Sequence, residues 1–323
     1  MNNFEYMQPE SIEIASKFLK KNSSSYLYAG GTDILGMIKE DIISPKQLVN
    51  LKKINSLNYI KFDEKEGLKI GALTKLSEIE KSEIIKKSFN VLHQAVKEVA
   101  TLQLRNVGTI GGNICQRPRC FYFREDFDCI RKGGDTCFAI TGNSKYHCII
   151  GGGPCYIVHP SDTAVALLAL DAKFKISSEK SEKIISAREF FVLPDVDDQK
   201  ENILKDGEIL TEIIIPNSSN NISKFIKVKE RGAWDFALVS IAGVFEIENK
   251  IIKSGKITFG GVAPIPWVEE KVNTGLTNFK IDENNIEKLS SLAFTKAEAM
   301  DMNSYKIPLA KNLIKKLLSE IVY

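Results

Sequence analysis

The sequence predicts an α+β chain with a break near residue 220, and three observations carry that reading. Short apolar strands and amphipathic helical stretches are mixed along the N-terminal part of the chain. Residues 217–223 (NSSNNIS) form the clearest linker. Beyond it the pattern changes to long alternating strands followed by two amphipathic helices. A length of 323 residues suggests two or three compact units rather than one core.

The elements follow in order. Residues 10–21 (ESIEIASKFLKK) carry apolar positions at helical spacing and predict a short amphipathic helix. SSSYLYAGGTDILGMIKE then reads as a polar turn, a short strand, a Gly-Gly turn and a helix start. QLVNLKKI and YIKFDEKEGLKIGALT predict short strands interrupted by glycine and charge, and residues 75–99 predict helix. A glycine-dense turn, LRNVGTIGGNI, precedes a cysteine-rich loop. PCYIVHPSDTAVALLALDAKFKI predicts a strand, a turn that caps a helix at Asp162, an Ala/Leu helix and a further strand. ILTEIIIP reads as a buried strand. KFIKVKERG, DFALVSIAGVFEIE and KIIKSGKITFGGVAP read as long strands, and helices around IEKLSSLAF and IPLAKNLIKKLLSEIV end the chain.

Composition excludes several classes. Apolar residues make up 43% and charged residues 26%, with a formal net charge of +3, too mild for a nucleic-acid partner or an anionic membrane surface. No apolar run approaches the roughly 18 residues of a membrane span. The N-terminus lacks a basic start followed by an apolar core, so a cytoplasmic protein is expected. No Ser-His-Asp or Cys-His arrangement has supporting context, and hydrolase chemistry has no support.

Two glycine turns and one loop carry the chemistry. Ala29-Gly30-Gly31-Thr32-Asp33 and Thr109-Ile110-Gly111-Gly112-Asn113 can bring inward amides close to a phosphate. Each alone is equally a plain tight turn. Two of them suit a long pyrophosphate ligand, and neither matches a GxGxxG or a GxxxxGKS/T pattern, which disfavours Rossmann and P-loop readings. All six cysteines lie between Cys115 and Cys155, spaced C-x4-C-x8-C-x7-C-x10-C-x6-C. The absence of CxxC argues against a zinc ribbon, whereas an iron–sulfur cluster accepts longer, irregular spacing. Arg117, Arg119 and Arg124 are expected to offset thiolate charge, and amides of Gly133, Gly134 and Gly151–Gly153 to donate to sulfur. Six free thiols are the plain alternative. His93 and His159 read as structural, and His147, inside the loop, as a ligand or a donor beside one.

AGGTDIL, IGALTKLSEI, LRNVGTIGGNICQ, VHPSDTAVALLALDA and KVKERGAWDFALVSIAG occur here in the order seen in FAD-binding subunits of molybdenum hydroxylases. The resemblance covers nearly the whole chain. It implies a two-subdomain FAD-binding fold of the PCMH/vanillyl-alcohol-oxidase type, with subdomains at 1–58 and 59–220, and a small α+β domain at 221–323. It further implies that Ala29, Gly30, Gly31, Thr32 and Asp33, with Thr109, Gly111, Gly112 and Asn113, line the FAD pyrophosphate and ribityl chain. Ser161 and Asp162 would contact the adenosine side or the ribityl hydroxyls, and Leu210 and Lys227 would lie near the flavin ring. The cysteine-rich insertion resembles the branch with an extra 4Fe–4S cluster, which implies Cys120, Cys129, Cys137 and Cys155 as ligands. Cys148 is the alternative fourth ligand, and Cys115 a bystander. Expected partners are a molybdopterin-binding large subunit and a 2Fe–2S small subunit in a dimer of heterotrimers. NAD or ferredoxin would be the electron partner, and no residue of this chain would touch the organic substrate. The competing readings are a stand-alone FAD-dependent oxidoreductase and a non-enzymatic iron–sulfur or zinc module.

Overall fold

The structure is a computed structural model that describes residues 2–21, 24–217 and 221–321. Three sheets are laid down in chain order. The first is parallel, with the fully buried β3 (Gln47–Asn50) between β1 (Glu5–Met7) and β2 (Ser25–Tyr28). The second is antiparallel, in the order β4 (Ile60–Asp63), β5 (Gly67–Gly71), β8 (Ile209–Ile215), β6 (Lys173–Ser177) and β7 (Glu182–Ser186). The third orders β12 (Phe279–Lys280), β11 (Ile251–Gly260), β10 (Val239–Glu248) and β9 (Ile222–Val228), again antiparallel. Part of the expected linker, residues 218–220, lies outside the described residues, and the expected break at 220 falls there.

ILTEIII forms the central strand of the second sheet because its β-branched residues fill both faces there. The helix Asp162–Ala169 is buried at every position. Its all-round apolar sequence, DTAVALLA, suits a helix packed between elements rather than on a surface. It packs on the helix Asn90–Lys97 and on β10 and β11, so one core runs from the second sheet into the third, from Leu68 to Val244.

Several local expectations are corrected. The stretch 75–99 is three helices, Leu76–Lys81, Glu83–Ser88 and Asn90–Lys97, broken at Ser82 and Phe89. The helix at 162 is capped by Ser161, whose hydroxyl accepts the Ala164 N–H at 3.0 Å. Asp162 is instead its first helical residue, where its carboxylate turns to another partner. Residues 110–114 are a short helix, Ile110–Ile114, rather than a turn, because Thr109 Oγ1 accepts the Gly112 N–H at 3.2 Å. The long strand expected through KERG ends at Val228, and residues 229–238 loop outward.

The C-terminal helix Lys306–Glu320 is fastened to the cysteine-rich segment by a buried cation. Lys306 Nζ donates to the carbonyls of Gly261 at 2.7 Å and Tyr146 at 3.0 Å. Asn303 Nδ2 donates to those of Cys148 at 3.0 Å and His147 at 3.2 Å. Burial pushes the Lys306 ammonium down to about 7 from 10.5. Between those values the unfolded chain holds a proton that the folded chain has released, so stability rises with pH across the window. Lys306→Met should cost about 1–3 kcal/mol by orphaning two carbonyls. It should also lose that rise, so urea-unfolding profiles of the two proteins that stay parallel across the window would contradict the assignment.

Candidate functional site

The two glycine segments face each other. Thr32, Asp33, Thr109 and Gly112 line both a cleft of about 610 Å³ and a smaller hollow of about 240 Å³ on its other side. Ala29, Gly30, Gly31, Gly111 and Leu210 line only the smaller hollow, and Asn113 and Lys227 only the cleft. Leu210 and Lys227 therefore face different stretches of the groove. Ser161 opens into a third cavity of about 390 Å³, and Asp162 lies between that cavity and the cleft.

The glycines do different work. Gly31 sits at φ +76, and a Cβ on it would meet the Tyr28 ring at 2.5 Å. A Cβ on Gly30 would meet the Val107 carbonyl oxygen at 2.5 Å. Both are required by the protein's own close packing. A Cβ on Gly112 would meet only Thr109 Oγ1, at 3.0 Å, and otherwise project into open space. Gly112 thus presents bare backbone to the cleft.

The side chains around these glycines are held by one another. Asn113 Oδ1 accepts from Ser161 Oγ and Thr163 Oγ1, each at 2.6 Å, which ties the Ile110–Ile114 helix to the Asp162–Ala169 helix. Lys227 Nζ pairs with Asp162 Oδ2 at 2.7 Å and donates to the Glu98 carbonyl at 3.0 Å. Burial raises the Asp162 carboxyl, and Lys227 pulls the other way. Asp33 stands at the N-cap of the helix Ile34–Lys39, but its side chain makes no cap hydrogen bond there. Its carboxylate accepts the Arg117 N–H at 2.8 Å and Arg124 Nη2 at 2.8 Å, and it pairs with Arg119. Burial opposes the charge on Asp33, but Arg119 and Arg124 outweigh it and hold the carboxyl below the usual range.

This corrects the expected role of the arginines. Arg117, Arg119 and Arg124 serve Asp33, and Arg117 also pairs with Glu201 at 2.9 Å, rather than serving the thiolates. The cation beside sulfur is Arg131, whose Nε donates to Cys155 Sγ at 3.3 Å. The glycine amides are also engaged elsewhere: Gly133 N–H by Ile130, Gly134 N–H by Cys129 and Gly153 N–H by Cys155, each through a carbonyl. His147 Nε2 lies 3.2 Å from Cys120 Sγ. His159 Nδ1 accepts the Ser161 N–H at 3.3 Å, a structural role. His93 is half-buried on its helix.

All six cysteines are free thiols. Cys129, Cys137, Cys148 and Cys155 are buried. The neighbouring Cys137 thiol and the Arg131 guanidinium hold the Cys155 thiol below the usual range. Cys120 feels the charge of both Cys129 and Cys155. Among the described residues, no three metal donors converge on a single-ion site. Cys115 lines the smaller hollow beside Gly111 and Gly112.

Sequence reasoning missed the loop 229–238. Arg231, Trp234, Asp235 and Phe236 line the cleft, and Arg119 lies over the Phe236 ring at 5.4 Å. The signals were Gly232 and an aromatic pair in a segment read as strand.

Residues 2–218 match the FAD binding domain in molybdopterin dehydrogenase, and residues 224–321 the CO dehydrogenase flavoprotein C-terminal domain. The chain is 30% identical to the aldehyde oxidoreductase FAD-binding subunit PaoB of Escherichia coli, over 99% of this chain and 98% of that one. It is 27% identical to the glyceraldehyde dehydrogenase medium chain of Sulfolobus acidocaldarius, over 89% and 86%. The chain belongs to the FAD-binding subunits of the molybdenum hydroxylases. The fold is similar to that of carbon monoxide dehydrogenase from Hydrogenophaga pseudoflava, with a TM-score of 0.78 and 23% identity over 98% and 96% of the two chains. Quinoline 2-oxidoreductase from Pseudomonas putida 86 gives a TM-score of 0.76 and 20% identity over 99% and 97%.

The cleft of this flavoprotein subunit fits a dinucleotide flavin. Bare backbone at Gly112 leaves room for a phosphate, and Arg119 and Arg124 line the cleft with positive charge. Gly112→Val should therefore abolish FAD retention, read as flavin absorbance per protein, with little change in unfolding. Gly30→Ala should instead destabilise the fold by about 1–3 kcal/mol through overpacking. Identical behaviour of the two variants would contradict the distinction. Lys227→Met leaves the Asp162 carboxylate buried without its partner and should cost about 3–5 kcal/mol. Adding Asp162→Asn should restore most of it in denaturant unfolding, and no recovery would show that the pair is not the source.

Proposed function

We propose that this chain passes electrons between iron–sulfur clusters and an external acceptor or donor such as NAD or ferredoxin, as the flavin component of a multi-subunit molybdenum hydroxylase. The observation that carries the flavin site is the open backbone of Gly112 opposite Thr32 and Asp33 across one cleft. Bound FAD supplies the exchange between one-electron and two-electron carriers. In this reading Ala29–Asp33 and Thr109–Asn113 hold the pyrophosphate and ribityl chain, Ser161 and Asp162 sit on the adenosine side or the ribityl hydroxyls, and Leu210 and Lys227 sit by the ring. The units are 1–58, 59–220 and 221–323.

The partners proposed are a molybdopterin-binding large subunit and a 2Fe–2S small subunit, assembled as a dimer of heterotrimers. Relatives called medium chain support a multi-subunit assembly. Among the described residues no helix is long and apolar enough to cross a membrane, and six free thiols suit a reducing cytoplasm. The relatives are named for different substrates, aldehyde and glyceraldehyde among them, which fits a substrate site on another subunit.

We also assign a 4Fe–4S cluster to Cys120, Cys129, Cys137 and Cys155. A cube binds each thiolate through its own iron, so its ligands need not meet at one point as single-ion ligands do. Cys155 lies against both Arg131 and Cys137, and Cys120 feels the charge of Cys129 and Cys155, which supports the reading. Cys148 lies against Gly152 and within the field of both Lys306 and Cys155, so it stays the alternative fourth ligand.

Co-expression with the neighbouring subunits under anaerobic conditions tests both parts. Flavin bands with a broad cluster shoulder, and substrate turnover only in the complex, are expected. Turnover by the isolated chain would favour a stand-alone flavin oxidoreductase, and a colourless zinc protein would overturn the flavin assignment. Cys129→Ser should lose about four irons per chain while FAD stays bound. Unchanged iron would reject Cys129 as a ligand.

A further inference from the structure

We propose that Arg131 sets the reduction potential of the cluster held by this segment, and that Glu201 holds it in place to do so. The inference rests on the iron–sulfur reading above. Arg131 lies between Cys129 and Cys137 in the short 3-10 turn Ile130–Lys132, and its side chain is 1% exposed. Its guanidinium is divided among three directions. Nε donates to Cys155 Sγ at 3.3 Å, Nη1 donates to Glu201 Oε1 at 2.7 Å, and Nη2 is buried without a hydrogen-bond partner. A buried guanidinium N–H left unpaired beside sulfur is a costly arrangement for a chain with no anion there.

The charges point the same way. Glu201, 6% exposed, is shared by Arg117 and Arg131. Two guanidiniums on one carboxylate leave a net positive charge in a water-poor place, and the nearest counter-charge on the Arg131 side is sulfur. A guanidinium stays protonated throughout the working pH range, so this charge does not depend on titration. Reduction adds negative charge to the cluster and its thiolates. A fixed cation with an N–H aimed at sulfur stabilises that state more than the oxidised one, which raises the potential. Arg131 touches sulfur, whereas Glu201 acts only through Arg131 and is a positioning residue. His147, beside Cys120 Sγ on the other side, is a separate contact that the Arg131 variants leave in place.

The test uses the complete complex, purified anaerobically, with Arg131→Leu, Arg131→Lys and Glu201→Gln. Iron, sulfide and FAD are counted per chain, and the cluster is titrated against potential by EPR. Arg131→Leu should keep its iron and FAD and shift the midpoint negative. The oxidised-to-reduced ratio at the unmodified midpoint should rise about tenfold, which is ~59 mV for one electron. Arg131→Lys keeps the charge but not the fork, so it should shift less; Glu201→Gln loosens the anchor but also removes a buried negative charge, so its midpoint should lie positive of that of Arg131→Leu. Full iron with an unmoved midpoint overturns the inference and leaves the cluster assignment standing. Iron lost from Arg131→Leu and Arg131→Lys alike, with FAD retained, makes Arg131 a structural residue and also overturns it. An unmodified complex without iron on this chain removes the cluster assignment and this inference together.

Discussion

One carboxylate joins the two segments on which the function depends. Asp33 closes the first glycine turn, and everything that holds it comes from residues 117–124 of the cysteine-rich segment. A surface ion pair would contribute little. Asp33 is only 17% exposed and receives a backbone N–H in addition to two guanidiniums, so its position is over-determined. Two cations on one anion also leave positive charge in the cleft that Gly112 lines. The same contact therefore orients the turn and supplies the field that an anionic ligand needs.

Buried polar contacts fasten the third sheet to the rest. Thr258 Oγ1 donates to the Val165 carbonyl at 2.8 Å, Lys227 reaches Asp162, and Lys306 reaches Tyr146 and Gly261. A buried ion pair gains little over apolar residues of equal volume. Its consequence here is geometric: Lys227, on β9 of the third sheet, is held at one place on the wall of the cleft. The rest of the cleft wall comes from loops and short helices, so Lys227 is the point at which a sheet strand enters it.

The elements were largely legible in the sequence, because their signals are local. The β-branched run at 209–215, the helix in DTAVALLA and the alternating strands after residue 220 lie where their periodicity puts them. The glycine segments were legible as points of close backbone approach, although Thr109 caps a short helix that periodicity could not reveal across two glycines. What stayed hidden depends on contacts distant in sequence. Glu201 lies 84 and 70 positions from the two arginines it joins, and nothing around it in LPDVDDQKEN marks it. The loop at 229–238 was hidden because the strands read as KFIKVKERG and DFALVSIAGVFEIE reach into it from both sides, whereas the first ends at Val228 and the second begins at Val239.

The four arginines of the loop show why composition alone misleads about electrostatics. They occur within fifteen positions of one another, from Arg117 to Arg131, among the same cysteines. Reach and backbone direction divide them. The irregular backbone of 116–120 offers the Arg117 N–H and the Arg119 guanidinium to Asp33, and the short helix Phe121–Arg124 returns Arg124 to the same carboxylate. Only the 3-10 turn after Cys129 sends a guanidinium inward to sulfur. Glu201 then sits between the two groups and pairs with one arginine from each. A rigid carboxylate shared in this way fixes the spacing between the flavin cleft and the thiols, since neither arginine can move without breaking a buried pair.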